Sequence, residues 1–160
     1  MTDLIESTLR GLGGQLPGRT SRPGDDRYAA ATATWAKPVG LMPRMVVHCR
    51  TISDIQLAIS AARAAGLPLP VRGGGHDWAG RALCDRLVLD LSGMRDVHVS
   101  PDRGSARISG GARAVDVLTA TDPLGLAAVT GSCSAVGMAG LTLGGGYGPL
   151  IGRLVLRSTI

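Results

Sequence analysis

The chain has 160 residues with 44% hydrophobic but only 2% aromatic and no Phe, so it fits one domain whose core is built from Ala, Val, Leu and Ile. Its net charge of +5 is scattered over single arginines with no basic run and no interleaved aromatics, which argues against nucleic acid and favours a small anionic ligand. Cys49, Cys84 and Cys133 share no C-x-x-C spacing, no stretch has the ~18 apolar residues of a membrane span, and no secretory signal opens the chain, so no metal site, disulfide framework or membrane partner is indicated and a reducing cytoplasm is expected.

Thr2 to Leu16 read as an amphipathic helix with Leu4, Ile5, Leu9 and Leu12 on one face and Gly13–Gly14 as its stop. Pro17 to Gly40, rich in Pro, Gly, Thr and Ala, reads as an extended leader packed on the surface. Met45 to Cys49 is a β-branched run, a buried strand on which His48 and Cys49 face opposite sides and so cannot share a metal. Thr51 or Ser53 caps the next helix. Its stripe is Ile52, Ile55, Leu57, Ile59 and Ala62, and Gly66 and Pro68 close it.

Leu69 to Arg72 is the following strand. Strand, helix and strand form a βαβ unit, which delivers the next loop to the carboxyl edge of a sheet, where α/β ligands bind. Leu87 to Leu91 is a third strand, and Val97–Ser100 with Ala106–Ser109 is a hairpin. Gly110–Gly111 lead into a helix over Ala114 to Thr121, Leu126 to Thr130 is a last strand, and a weak helix spans Ala135 to Leu143.

Glycine numbers 24 residues, roughly double the ordinary share, and it clusters at two places. In the first, VRGGGHDW (Val71 to Trp78), three residues without side chains let backbone N–H groups crowd an anion, with His76 directly behind them. A flexible turn with a surface His is the alternative. In the second, TGSCSAVGMAGLTLGGGYG (Thr130 to Gly148), Cys133 precedes a helix whose macrodipole would favour a thiolate. A small buried hydrophobe is the alternative there. Neither cluster is a G-x-G-x-x-G after a first strand or a P-loop with its Lys, so a Rossmann domain and an NTPase are both disfavoured. Two glycine loops, one with a His and one with a Cys, suggest one large cofactor clamped from two sides.

These motifs, in this order, resemble the N-terminal part of FAD-linked oxidases with the PCMH-type flavin domain, of the vanillyl-alcohol oxidase superfamily, and within it the berberine-bridge-enzyme-like branch. The resemblance covers Asp26 to Arg153. It implies an α/β (α+β) fold of small mixed sheets flanked by helices, with 1–25 as N-terminal helix and leader and 26–160 as an FAD-binding domain incomplete at its C-terminal side. FAD would be the cofactor, its pyrophosphate held by the backbone of Arg72, Gly73, Gly74 and Gly75. His76 would bond the flavin 8α-methyl and Cys133 the ring carbon 6, both residues being competent nucleophiles as neutral imidazole and thiolate. Leu91, Ser92, Gly131, Ser134, Val136, Gly137, Gly140, Leu143, Gly144, Gly145 and Gly148 fall where that family lines its cofactor.

The resemblance further implies a two-electron oxidase of an alcohol, sugar or secondary metabolite, with a small-molecule substrate and oxygen as acceptor. Tyr28 and Tyr147 do not match the family's Tyr or Glu base, which belongs to later segments together with the substrate domain. The alternative is a catalytically silent flavin-binding fragment or interaction module that self-associates through the surface left by the missing half.

Overall fold

The structure, a computed structural model, describes residues 2–36 and 41–150. Residues 37–40 of the expected leader, the end of the resemblance at Arg153 and the tail LVLRSTI lie outside the described residues. Helix α1 (Thr2–Gln15), strand β1 (Thr20–Ser21), helix α2 (Asp26–Thr32), strand β2 (Met45–His48), helix α3 (Ile52–Ala64), strand β3 (Val71–Arg72) and strand β4 (Leu87–Asp90) come first. The hairpin β5 (Val97–Val99) and β6 (Ala106–Ile108), helix α4 (Ala114–Thr121) and helix α5 (Met138–Gly144) follow. The architecture is α+β, with two small sheets flanked by helices.

Strand order in the larger sheet is β1-β2-β4-β3, with β2, β4 and β3 parallel and β1 antiparallel at the edge. The expected βαβ unit is therefore split, because β4 inserts between β2 and β3. Every residue of β4 is buried, and a strand apolar on both faces belongs in the centre of a parallel sheet. The two-residue β3, with Val71 half exposed to solvent, suits the edge. Parallel pairing brings His48, Asp90 and Arg72 into one row at the carboxyl end, His48 and Arg72 each opposite Asp90.

One face of the sheet, Met45, Val47, Leu87 and Leu89, packs against Ile5, Leu9, Leu12 and Leu16 from the N-terminal segment and Ala58 and Ala62 of α3. Leu4 points to solvent, and Leu16 takes the place expected for it. Gly13 and Gly14 do not stop α1: it runs on to Gln15, and the Leu16 N–H bonds the Leu12 carbonyl at 3.0 Å. Burial of Leu12 and Leu16 outweighs the propensity loss of about 1 kcal/mol per glycine.

In α3 a capping box fixes the start. The Asp54 N–H donates to Thr51 Oγ1 at 3.2 Å, and the Thr51 N–H donates to Asp54 Oδ2 at 3.0 Å. With Asp54 buried and paired to Arg19, the inward stripe becomes Asp54, Ala58 and Ala62, while Ile52 and Leu57 face water. The expected stripe is thus rotated, and small side chains let α3 lie close to the sheet. Its end is a Schellman closure, the Leu67 N–H reaching the Ala62 carbonyl at 2.9 Å and the Gly66 N–H the Arg63 carbonyl at 3.2 Å.

The expected extended leader instead contributes β1 and α2. Tyr28 and Ala31 of α2 pack with Val46, Val88 and Leu83 on the second face of the sheet, and the Tyr28 hydroxyl donates to the Pro43 carbonyl at 2.8 Å. Leu126 to Thr130 joins no strand ladder among the described residues: an apolar run is extended chain until a partner strand pairs with it. The second helix of the glycine-rich segment starts at Met138 rather than Ala135. The preceding backbone is held by α4 instead, with Ala114 N–H to the Val136 carbonyl and Met138 N–H to the Ala112 carbonyl, each at 2.9 Å.

On the α2 face the row at the carboxyl end is polar, one side chain per strand in strand order. Ser21 Oγ lies 2.7 Å from His48 Nε2, His48 Nδ1 lies 3.2 Å from Asp90 Oδ2, and Arg72 Nη1 donates to Asp90 Oδ1 at 3.0 Å. Burial pushes the Asp90 carboxyl up, but His48, Ser92 and Arg72 outweigh it and hold Asp90 below the usual carboxylate range. A lowered folded value means that Asp90 stabilises the fold above its unfolded pKa near 4 and loses that contribution as the pH falls through the folded value. Asp90→Asn leaves the Arg72 guanidinium buried without a counter-charge, so urea unfolding at pH 7 should register a loss of about 3 kcal/mol. The gap to wild type should narrow as the pH drops below about 4.

Candidate functional site

The site grows out of the end of β3. The Arg72 carbonyl accepts the Leu91 N–H at 2.8 Å, continuing the ladder to β4. Its side chain turns inward, away from a direct role in the loop: besides Asp90, Nη2 donates to the carbonyls of Ala30 at 3.2 Å and Ala33 at 3.1 Å at the end of α2. The glycines follow. A Cβ on Gly73 would sit 3.0 Å from the Gly110 carbonyl oxygen, and one on Gly74 would sit 2.5 Å from the Gly137 nitrogen. Gly137 returns the contact, since its own Cβ would lie 2.5 Å from the Gly74 nitrogen. The two glycine clusters therefore touch backbone to backbone, and no residue with a side chain fits either position. At Gly75 the backbone turns with φ +74°, which L side chains rarely adopt, and a Cβ there would strike Arg72 Nη2.

His76 comes directly after this turn, half-buried. Its imidazole stacks on Trp35 with ring centroids 4.8 Å apart and planes 14° from parallel. Trp78 lies on another side at 6.5 Å, its Nε1–H donating to His76 Nδ1 at 3.4 Å. Asp77 shapes the exit, its carboxylate accepting the N–H of Ala79 at 3.0 Å and of Ala82 at 2.8 Å. Trp35 escapes a reading by motif. Its signal is faint: it is one of two tryptophans in a chain nearly without aromatics.

Cys133 lies half-buried in a turn closed by the Val136 N–H on the Cys133 carbonyl at 3.1 Å. Helix α5 begins five residues beyond it, so Cys133 is not at a helix N-terminus and the macrodipole, which fades within one turn, does not act on it. The turn is tied to α4 through the Val115 N–H on the Ser134 carbonyl at 3.1 Å. Val136 packs on Gly131, and Gly148 lies against the Thr130 carbonyl. Gly140 and Gly144 have no neighbour within 4 Å of where a Cβ would stand, and Leu143 is 72% exposed. Among the described residues nothing requires glycine at those two positions. Gly145 caps α5. Leu91 and Ser92 sit just beyond β4, Leu91 against Gly110 and Ser92 with its hydroxyl on Asp90 at 2.8 Å.

An anionic group fits these residues. The Gly74–Gly137 contact exposes backbone rather than side chains. Arg72 Nε and Arg113 Nε are buried without a partner among the described residues, and the Arg113 backbone pairs with Gly137 in an isolated β-bridge. Among the described residues no three His, Cys, Asp or Glu side chains gather to hold a metal, and no helix is long and apolar enough to cross a membrane. Cys49 is no rival to Cys133. Burial, with the charges of Asp54 and Asp90, pushes its thiol up to about 12.

Comparison with known proteins gives consistent matches. The profile of the FAD binding domain family matches residues 43–158. An FAD-linked oxidoreductase of Aspergillus fumigatus is 38% identical over 133 residues, which is 82% of this chain and 28% of that protein. The crystal structure of 6-hydroxy-D-nicotine oxidase from Arthrobacter nicotinovorans superimposes with a TM-score of 0.80 at 33% identity, over 86% of this chain and 31% of that one. The Physcomitrella patens BBE-like 1 structure gives 0.79 at 26% identity, over 88% and 31%. The chain thus spans less than a third of the relatives it matches.

Gly137→Ala should lower stability by about 1–3 kcal/mol in thermal or urea unfolding, because backbone must separate to admit the methyl group. Gly140→Ala, in open space on a helix, should leave stability unchanged or raise it by up to about 1 kcal/mol. Alkylation of the native protein at pH 8 should spare Cys49 and label it only after denaturation, as peptide mapping would read directly.

Proposed function

The chain belongs to the FAD binding domain family, whose cofactor is FAD, and from that premise we propose that it is the flavin-clamping part of an FAD-linked oxidase that tethers its flavin through His76 and Cys133. The observation that carries this reading is the backbone contact of Gly74 with Gly137, which supports a single site by bringing the loop before His76 against the segment that follows Cys133. In this reading the N–H groups of Gly73, Gly74 and Gly75 would face the diphosphate, on a loop that the inward-turned Arg72 side chain holds in place. Gly131, Ser134, Val136 and Gly137 would line the flavin from the other side. Gly140, Leu143, Gly144, Gly145 and Gly148 continue that wall, and the open space around Gly140 and Gly144 supports it. When bound, FAD would supply the two-electron oxidation of an alcohol, sugar or secondary metabolite, with oxygen as acceptor.

His76 and Cys133 contribute nucleophilic atoms and orientation. His76 is held by two indoles and Cys133 by its turn, so neither must search for the ring it meets. One observation favours a second reading, a flavin-binding module that works by association. Leu143 and Tyr147, four residues apart, are each more than 70% exposed, and large apolar side chains left open to water can form a docking face.

Intact mass of the denatured protein, expressed with FAD, decides between free and tethered flavin. The wild type should carry one FAD, His76→Ala and Cys133→Ala should each retain it through the remaining bond, and the double variant should release it. A wild type that leaves all its flavin in the acid supernatant sinks the tether. Concentration-dependent sedimentation of the flavin-loaded protein would support the second reading.

A further inference from the structure

We propose that Trp35 is the positioning residue that presents the His76 imidazole for bonding to the flavin, an inference that rests on His76 being the point of attachment. The stack is nearly parallel at 4.8 Å and 14°, within the range where ring faces attract. It is also built in by the backbone. The Trp35 N–H donates to the Gly75 carbonyl at 2.9 Å and the Ala36 N–H to the Asp77 carbonyl at 3.2 Å. These two bonds straddle residue 76 and so register the indole against the imidazole.

The segment that carries Trp35 is itself pinned. Ala33, two residues upstream, gives its carbonyl to Arg72 Nη2 at 3.1 Å, and Arg72 is fixed by Asp90. Trp35 nonetheless remains 64% exposed. Core packing therefore does not account for its place, and its consequence falls on His76. A half-buried imidazole after a left-handed glycine turns freely about χ1 and χ2 unless something holds it. The Trp35 face fixes the ring plane, and the Trp78 Nε1–H on Nδ1, at 3.4 Å, selects the edge that accepts a hydrogen bond.

Bond formation needs that alignment. The imidazole lone pair forms an N–C bond to the flavin 8α carbon, one proton leaves that carbon and one leaves the imidazole nitrogen, and the two electrons left on the ring pass to dioxygen. Misplacing a reacting atom by about 1 Å costs up to roughly a hundredfold in rate.

The test follows covalent incorporation in the intact protein, produced without flavin and then supplied with FAD, using Cys133→Ala as background so that only the His76 bond is scored. Trp35→Leu should slow incorporation by about tenfold or more while FAD still binds reversibly, and Trp35→Phe, which restores a ring face, should stay within about threefold of the parent. Incorporation by Trp35→Leu at the parent rate overturns the proposal. If the parent itself never attaches FAD, the attachment reading has failed instead. A flavin-free readout guards against a variant that does not bind FAD: with 13C-labelled histidine, the His76 Cε1–H signal should be sharp and ring-current shifted in wild type and Trp35→Phe, and in Trp35→Leu it should broaden and move toward the free-imidazole position as the ring samples several orientations beside Trp78. An unchanged signal in Trp35→Leu overturns the proposal whatever the flavin does.

Discussion

The buried pair of Arg72 and Asp90 is the contact on which the sheet and the site both depend. Asp90 closes the central strand and Arg72 the edge strand, and register sets them opposite each other. Two charges taken out of water are costly unless their remaining hydrogen-bonding capacity is met. Here it is nearly met: Asp90 receives Arg72, His48 and both the N–H and hydroxyl of Ser92, and Arg72 reaches two carbonyls at the end of α2. The pair thus converts the order of strands into the position of a helix end, and the helix end into the position of Trp35 beside His76.

The second constraint is the absence of side chains at Gly74 and Gly137. A backbone-to-backbone approach is available only where neither residue has a Cβ, and it draws together segments more than sixty residues apart. The same requirement explains why α5 is short and begins late. Its N-terminal approach is held by bonds to α4 and by the Arg113 bridge, so the helix starts only where that pairing ends.

Much of the fold was legible because local chemistry decides it. The capping Thr51 and the Gly66 closure bound α3, and Gly110–Gly111 mark the approach to α4 at the expected residues. Failures have a common cause. Leu4, Ile52 and Leu57 are as apolar as their neighbours, so periodicity alone could not tell which side of the helix meets the sheet. The leader concealed β1 and α2 because a two-residue strand and a seven-residue helix are stabilised by their partners, Tyr28 among Val46, Val88 and Leu83, rather than by their own sequence. Cys133 was expected at a helix start because nothing local reveals that Val136 and Met138 bond instead to Ala114 and Ala112, at and just before the start of α4.

What the sequence by itself determined is the inventory of the site: two glycine clusters, a His behind one and a Cys within the other, and the strand that carries Arg72 to the carboxyl edge. Those follow from residue types that act through their own backbone, as glycine does by lacking a Cβ. The tertiary structure alone decided three further things: that β4 lies between β2 and β3, that Arg72 turns its side chain to Asp90 and α2, and that Trp35 stacks on His76. Each is a contact between residues distant in the chain. Such contacts depend on strand order and helix phase, which emerge only when the apolar faces are buried together.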